Sequence, residues 1–286
     1  MLKITEVKTD RILNPTSIDL GEYVINPYVG CEYACLYCYV RSNKTTKRRK
    51  TPWGDYVDIR SNSSELLQKE ILEKKPKTIL LGSTTECFQP VEKGFHLTGK
   101  LLEILNSNGI SYVILTRSPY IVEYIPLLSR QNCKAIYFTV NNFNRSIKQY
   151  LEPNSPSFES RNTAVEMLIH SGLPVIPYYS PVIPWVSDIE KIFYTFDKAR
   201  KIEFECLNFR LNNILEIVNC ISFAEPLLKD KFYMLLNDRL FYEQTWSAIE
   251  MQISGYARHA QKECKIHRHD FDKYFQNTYS SGSTSI

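Results

Sequence analysis

Thr78-Ile79-Leu80-Leu81-Gly82, the segment 96–108, and Tyr112-Val113-Ile114-Leu115-Thr116 together decide the fold. The first is a short apolar run ending in glycine, which reads as a buried strand. In the second, Leu97, Leu101, Leu102, Ile104 and Leu105 recur at helical spacing, and Gly109 follows as a C-cap. The third is a strand again. The alternation continues outward. Residues 120–131 read as helix, 135–140 as strand, 157–171 as helix closed by Gly172, 174–179 as strand, 187–200 as helix and 202–207 as strand. On the N-terminal side, 22–25 read as strand and 64–73 as helix. These make about six strand–helix units, and such units build a parallel sheet through right-handed crossovers. With short turns and no linker, the expected fold is α/β, a partial (β/α)6 TIM-like barrel. A doubly wound open sheet shares the same periodicity.

After about Asn208 the texture changes to helical, with 215–228 and 232–252 as helices and no clear strand. The expected organisation is an N-terminal segment (1–20), a core (21–208) and a helical C-terminal extension (209–286). The run Ser280-Ser281-Gly282-Ser283-Thr284-Ser285 is small and polar and is expected to be disordered. Of 286 residues, 43% are hydrophobic and 23% charged, which is ordinary globular composition. A net charge of +4 does not by itself argue for nucleic acid. The N-terminus lacks an apolar core of signal length. The most apolar stretch, 173–186, is interrupted by Pro174, Pro177, Pro181 and Pro184, so no membrane span is expected. A cytoplasmic protein is expected. In that compartment eight cysteines point to metal or redox chemistry, not to a disulfide framework.

The densest chemistry lies in Cys31-Glu32-Tyr33-Ala34-Cys35-Leu36-Tyr37-Cys38-Tyr39, a C-x-x-x-C-x-x-C spacing after the first core strand. Gly30 lets the chain turn there. In a parallel barrel this places three thiols at the C-terminal face, where active sites sit. Thiolates are soft ligands for iron–sulfur clusters or zinc. A zinc site needs a fourth ligand, and none is nearby in sequence. A cubane held by three cysteines leaves one iron open to a small molecule.

This motif resembles that of the radical S-adenosylmethionine (SAM) superfamily. Further runs are similar to its spore photoproduct lyase-like branch: Asn26-Pro27-Tyr28-Val29-Gly30, Gly82-Ser83-Thr84-Thr85-Glu86 with Gln89-Pro90-Val91-Glu92, Thr116-Arg117-Ser118, Leu151-Glu152-Pro153 with Ser155-Pro156 and Arg161, and Pro181-Val182-Ile183-Pro184 with Asp188. The resemblance spans about residues 20–208. It implies a [4Fe-4S] cluster on Cys31, Cys35 and Cys38. It also implies reductive cleavage of SAM to a 5′-deoxyadenosyl radical and hydrogen abstraction from an unidentified substrate. Ser83, Thr84 and Glu86 are then expected to meet the methionyl amine, and Arg117 and Thr139 the carboxylate or ribose. Tyr37 is expected against adenine. Arg161 is a further carboxylate candidate, with Glu152 on ribose or orienting it; a mutual salt bridge is the alternative. A low-potential flavodoxin or ferredoxin is the implied electron donor.

In the branch's lyase, a Tyr-Cys-Tyr motif and another cysteine relay hydrogen atoms. Tyr37 and Tyr39 match that motif. Ser83 stands where the relay cysteine is expected, and Cys87 lies four residues further on. Tyr39 and a shifted Cys87 are the catalytic candidates, and a DNA-lesion lyase acting on nucleic acid is the narrower reading. A non-enzymatic zinc or nucleic-acid-binding module is the alternative from another class. The cluster Lys44, Lys47, Arg48, Arg49 and Lys50 reads as a solvated loop or a phosphate-facing patch. Cys264, His267 and His269 read as a solvated basic segment or a weak metal signal. Tyr178, Tyr179 and Trp185 read as packing or as a stacking surface.

Overall fold

The computed structural model describes residues 2–128 and 131–269. The small polar run at 280–285 lies outside them. In chain order the strands are β1 (Lys3–Val7), β2 (Asn14–Pro15), β3 (Tyr23–Ile25), β4 (Tyr28–Val29), β5 (Tyr56–Arg60), β6 (Thr78–Leu81), β7 (Ser111–Thr116), β8 (Cys133–Thr139), β9 (Val175–Val182), β10 (Lys201–Cys206) and β11 (Glu263–His267). The helices are α1 (Lys44–Lys47), α2 (Ser63–Lys74), α3 (Glu92–Phe95), α4 (Leu97–Ser107), α5 (Arg145–Leu151), α6 (Phe158–His170), α7 (Ile189–Thr195), α8 (Ile214–Ala224), α9 (Lys229–Asn237) and α10 (Arg239–His259).

An eight-stranded sheet runs in the order β11-β10-β9-β8-β7-β6-β3-β2. Its pairings β3/β6, β6/β7, β7/β8, β9/β10 and β10/β11 are parallel, and β2 is antiparallel to β3 at one edge. The fold is mixed α/β of the partial TIM-like kind. Among the described residues the edge strands do not pair to close a barrel.

The chain divides into two compact units. The first holds residues to Cys35, Lys44–Val140 and Pro153–Pro177. The second holds Leu36–Asn43, Asn141–Glu152 and the described residues from Tyr178 on.

In the first unit, Ile79, Leu80, Leu81, Ile114, Ile136 and Phe138 have no exposed surface, which explains the near-continuous apolar strands. Helix α2 lies against α4. Helix α4 ends through Asn108 into Gly109 at φ +65°, the left-handed C-terminal residue that its sequence announces. Ser157 caps α6, accepting from Ser160 N at 3.1 Å. The span read as a helix at 120–131 is a 3-10 turn over Pro119–Tyr124; Pro126, two residues on, has no N–H with which to continue a helix. A second, three-stranded sheet, β1-β5-β4, was not foreseen. It matters because β4 runs directly into the cysteine loop.

In the second unit, α7 lies against α10, and α8 against α5 and α9. The single helix read at 232–252 is two, because Asp238 caps α10 by accepting from Phe241 N at 3.0 Å. The region after 209 also contains a strand, which the sequence reading did not include. That strand, β11, pairs in parallel with β10, and the imidazole of His267 sits 2.7 Å from the buried carboxylate of Glu203. Cys264 and His267 therefore belong to a sheet strand, both of them half-buried.

Candidate active site

The cysteine loop begins where β4 ends. Gly30 has φ +101°, and a Cβ there would lie 2.2 Å from the carbonyl oxygen of Tyr56. Glycine is thus required by both conformation and space. One turn later Ala34 is left-handed at φ +56°, and Gly54 faces it so closely that a Cβ would meet the Ala34 methyl at 2.5 Å.

Side chains that follow β6 and β7 strap the loop down. Thr85 Oγ1 donates to Gly30 O at 2.6 Å and Gln89 Nε2 to the same oxygen at 3.4 Å. Glu32 N donates to Gln89 Oε1 at 2.9 Å, and Val91 N to Glu32 Oε1 at 2.6 Å. Tyr33 Oη donates to Ser118 Oγ at 2.8 Å, and Ser118 Oγ to Phe88 O at 2.6 Å. Burial pushes the Tyr33 phenol well above its ordinary range. Cys35 is buried and Cys31 half-buried, and neither forms a disulfide. Cys35 Sγ receives Arg117 Nη1 at 3.2 Å and lies 3.4 Å from Ser155 Oγ.

The predicted residues of the first unit fall into two sets. Ser83, Thr84, Glu86 and Arg117 gather at the C-terminal ends of β6 and β7. Asn26, just beyond β3, organises the first pair: its Oδ1 accepts from Thr84 N at 2.8 Å and its Nδ2 donates to Ser83 Oγ at 3.3 Å. Glu86 is buried and accepts from Thr116 Oγ1 at 2.7 Å, Phe88 N at 3.0 Å and Arg117 N at 2.8 Å. Burial still holds its carboxyl above the usual range. Thr139 ends β8 and is buried. Arg161 lies on α6, buried, with Nε donating to Ser157 O at 3.4 Å. Cys87 has no exposed surface, and burial, reinforced by nearby Glu86 and Glu92, pushes its thiol well up. It therefore stays a protonated S–H.

In the second unit, Tyr37 and Glu152 are brought together. Tyr37 Oη donates to Glu152 Oε1, and Asn141 Nδ2 reaches that oxygen at 3.0 Å and Tyr37 Oη at 3.1 Å. Ser180 N donates to Asn141 Oδ1 at 3.0 Å. Leu36 N donates to Leu151 O at 2.9 Å, fixing the chain between Cys35 and Cys38. Cys38 is half-buried and precedes the 3-10 turn Tyr39–Ser42; Tyr39 is 47% exposed. Tyr179 is buried and stacked on Phe204. Trp185, at φ +61°, packs edge-on against Phe232 and lines a cleft of about 590 Å³. Tyr178 packs edge-on against His267.

Asn141 was not singled out from sequence, and Asn26, Gln89, Ser118 and Ser155 stood in the quoted runs without a role of their own. Asn26 before Pro27 and Gln89 before Pro90 carry a weak signal, since a residue before proline is held extended and marks a strand end or turn.

The donor chemistry fits an iron–sulfur cluster. The loop offers thiols, and Arg117 places a guanidinium N–H beside the Cys35 sulfur. The indole Nε1 of Trp53 is buried with no hydrogen-bond partner, beside the Gly54–Ala34 contact. Among the described residues no three His, Cys, Asp or Glu side chains converge on a single ion. A cluster makes no such demand, because each thiolate binds its own iron.

The Radical SAM superfamily profile matches residues 25–205. The chain therefore belongs to the radical SAM superfamily and is an enzyme of that class. It is 33% identical over 192 residues to an uncharacterized protein of Methanocaldococcus jannaschii, covering 67% of this chain and 72% of that one. It is 24% identical over 180 residues to a radical SAM Nalpha-GlyT isomerase of Pseudomonas phage M6, covering 62% of this chain and 36% of the isomerase. Among solved structures, a mutant of spore photoproduct lyase superposes with a TM-score of 0.67 at 16% identity, covering 93% of this chain and 82% of the lyase. That likeness establishes the fold.

Proposed function

We propose that Cys31, Cys35 and Cys38 hold a [4Fe-4S] cluster and that the enzyme uses SAM to abstract hydrogen from an organic substrate. When bound, the cluster with its open iron supplies the electron that cleaves SAM to a 5′-deoxyadenosyl radical. The remaining tasks belong to the protein. The straps from Thr85, Gln89 and Ser118 hold the cysteine loop in one geometry, which limits the rearrangement needed to take up the cluster. Asn26 orients Ser83 and Thr84, whose hydroxyls are acceptors for the methionyl amine. Glu86 adds acceptor capacity. Arg117 and Arg161 are the cations for the carboxylate, and Thr139 a hydroxyl for carboxylate or ribose. Tyr37 and Glu152 serve the adenosine half. A low-potential flavodoxin or ferredoxin delivers the electron.

The observation that carries this reading is the C-x-x-x-C-x-x-C loop, pinned in its first half by side chains following two adjacent parallel strands in a chain of this superfamily. The narrower lesion-lyase reading is weaker: Ser83 occupies the relay position, and Cys87 is fully buried. Anaerobically reconstituted protein with dithionite is expected to convert SAM to 5′-deoxyadenosine, and Cys35→Ala to form none. A cluster-loaded wild type that leaves SAM intact would defeat the proposal.

A further inference from the structure

We infer that Arg117 and Ser155 hydrogen-bond the Cys35 thiolate of the cluster and raise its reduction potential. The inference rests on the reading of Cys35 as a cluster ligand.

Three observations carry it. Arg117 Nη1 is 3.2 Å and Ser155 Oγ 3.4 Å from Cys35 Sγ, both within the hydrogen-bond range for sulfur. Cys35 is only 6% exposed and Ser155 only 7%, so water is a poor substitute for either donor. Both donors are also held from behind. The backbone N of Arg117 is bonded to Glu86 Oε2 at 2.8 Å, and Ser118 N to Thr116 Oγ1 at 3.0 Å. On the other side, Asn154 Nδ2 donates to Glu32 O at 2.9 Å, tying the segment that carries Ser155 to the cysteine loop.

The consequence follows from charge. A cluster gains a negative charge on reduction, and its thiolate sulfurs share that charge. Donors aimed at a ligand sulfur stabilise the reduced form more than the oxidised form, and so raise the potential. A guanidinium remains ionised throughout the accessible pH range. It also has five N–H groups in a rigid fork. Lysine, a single compact ammonium, does not present the same fork to the ligand sulfur.

The test is a redox titration monitored by electron paramagnetic resonance on anaerobically reconstituted full-length protein, without SAM. Wild type is compared with Ser155→Ala, Ser155→Thr, Arg117→Met and Arg117→Lys. The expected result is a more negative midpoint in Ser155→Ala and a larger negative shift in Arg117→Met. Ser155→Thr, which keeps the hydroxyl, should stay near wild type. The Ala/Thr pair decides by itself where Arg117→Met takes up little iron. Cluster-loaded Ser155→Ala and Arg117→Met with wild-type midpoints would overturn the inference while leaving the cluster intact. A wild type that takes up no cluster would overturn the underlying reading instead.

Discussion

Glu92 closes the Gln-Pro-Val-Glu run, and its carboxylate has no exposed surface. Four donors converge on it: Tyr28 Oη, Tyr124 Oη at 2.7 Å, Thr98 N at 3.0 Å and Gly99 N at 3.2 Å. The last two are first-turn amides of α4, which no intrahelical carbonyl can satisfy. Its negative charge also suits the helix N-terminus. Burial, with Glu92 adding to it, keeps both tyrosines protonated far above their ordinary range, so both remain donors. Glu92→Leu strands Tyr28 Oη and the two amides and leaves Tyr124 Oη only Tyr120 as a partner. A buried donor left unsatisfied costs about 1–3 kcal/mol, so the low end over three donors is about 3 kcal/mol. Relief from burying a carboxylate offsets part of this, leaving a loss of about 2 kcal/mol, or roughly thirtyfold in the unfolding equilibrium. Glu92→Gln keeps one acceptor oxygen and is expected to lose about half as much. Urea unfolding followed by far-UV circular dichroism measures both, with the midpoint falling at unchanged slope. A Glu92→Leu protein within about 0.5 kcal/mol of wild type would refute the assignment of Glu92 as the anchor of α4.

Gly30→Ala should fold but take up less iron on reconstitution, because its Cβ meets the Tyr56 carbonyl and φ is +101°; equal iron per chain would show that the loop tolerates the displacement. Glu70 is buried and accepts from Ile12 N at 2.7 Å and Leu13 N at 3.1 Å while paired with Lys74. Burial opposes ionisation there, but Lys74 and the two amides prevail and hold its carboxyl below the usual range. Its stabilisation is therefore present above the unfolded-state value, about 4.3, and lost as pH falls through the lower folded value. Glu70→Gln should be less stable at pH 7 and show a shallower loss of stability below about pH 4; parallel pH–stability curves for the two proteins would contradict this.

The strand–helix series was legible because each element pairs its own hydrophobic period with its own stop signal. The apolar run of β6 ends at Gly82, and α4 ends at Gly109 with φ +65°. Elements that failed to register lack one of the two. Strand β4 is two residues long, too short for any period, and β5 carries Asp58 and Arg60 within its five residues. Strand β11 reads Glu-Cys-Lys-Ile-His, which looks solvated until β10 supplies its pairing and Glu203 a partner for His267. The thiol spacing of the site was local and visible. Its supports were not, since Asn26 acts on Ser83 and Thr84, and Ser155 on Cys35, across sequence separations of 57 to 120 residues. Glu92, grouped by resemblance with the cofactor segment, turned out to anchor a helix.

The proposed cluster and its open iron are best examined by electron paramagnetic resonance of the reduced, reconstituted enzyme before and after addition of SAM. A cluster with one iron not bound by protein should change its signal when SAM is added, and Cys31→Ala, Cys35→Ala and Cys38→Ala should each abolish the starting signal. A reduced cluster whose spectrum is indifferent to SAM, or a cluster that persists in one of these variants, would contradict the account.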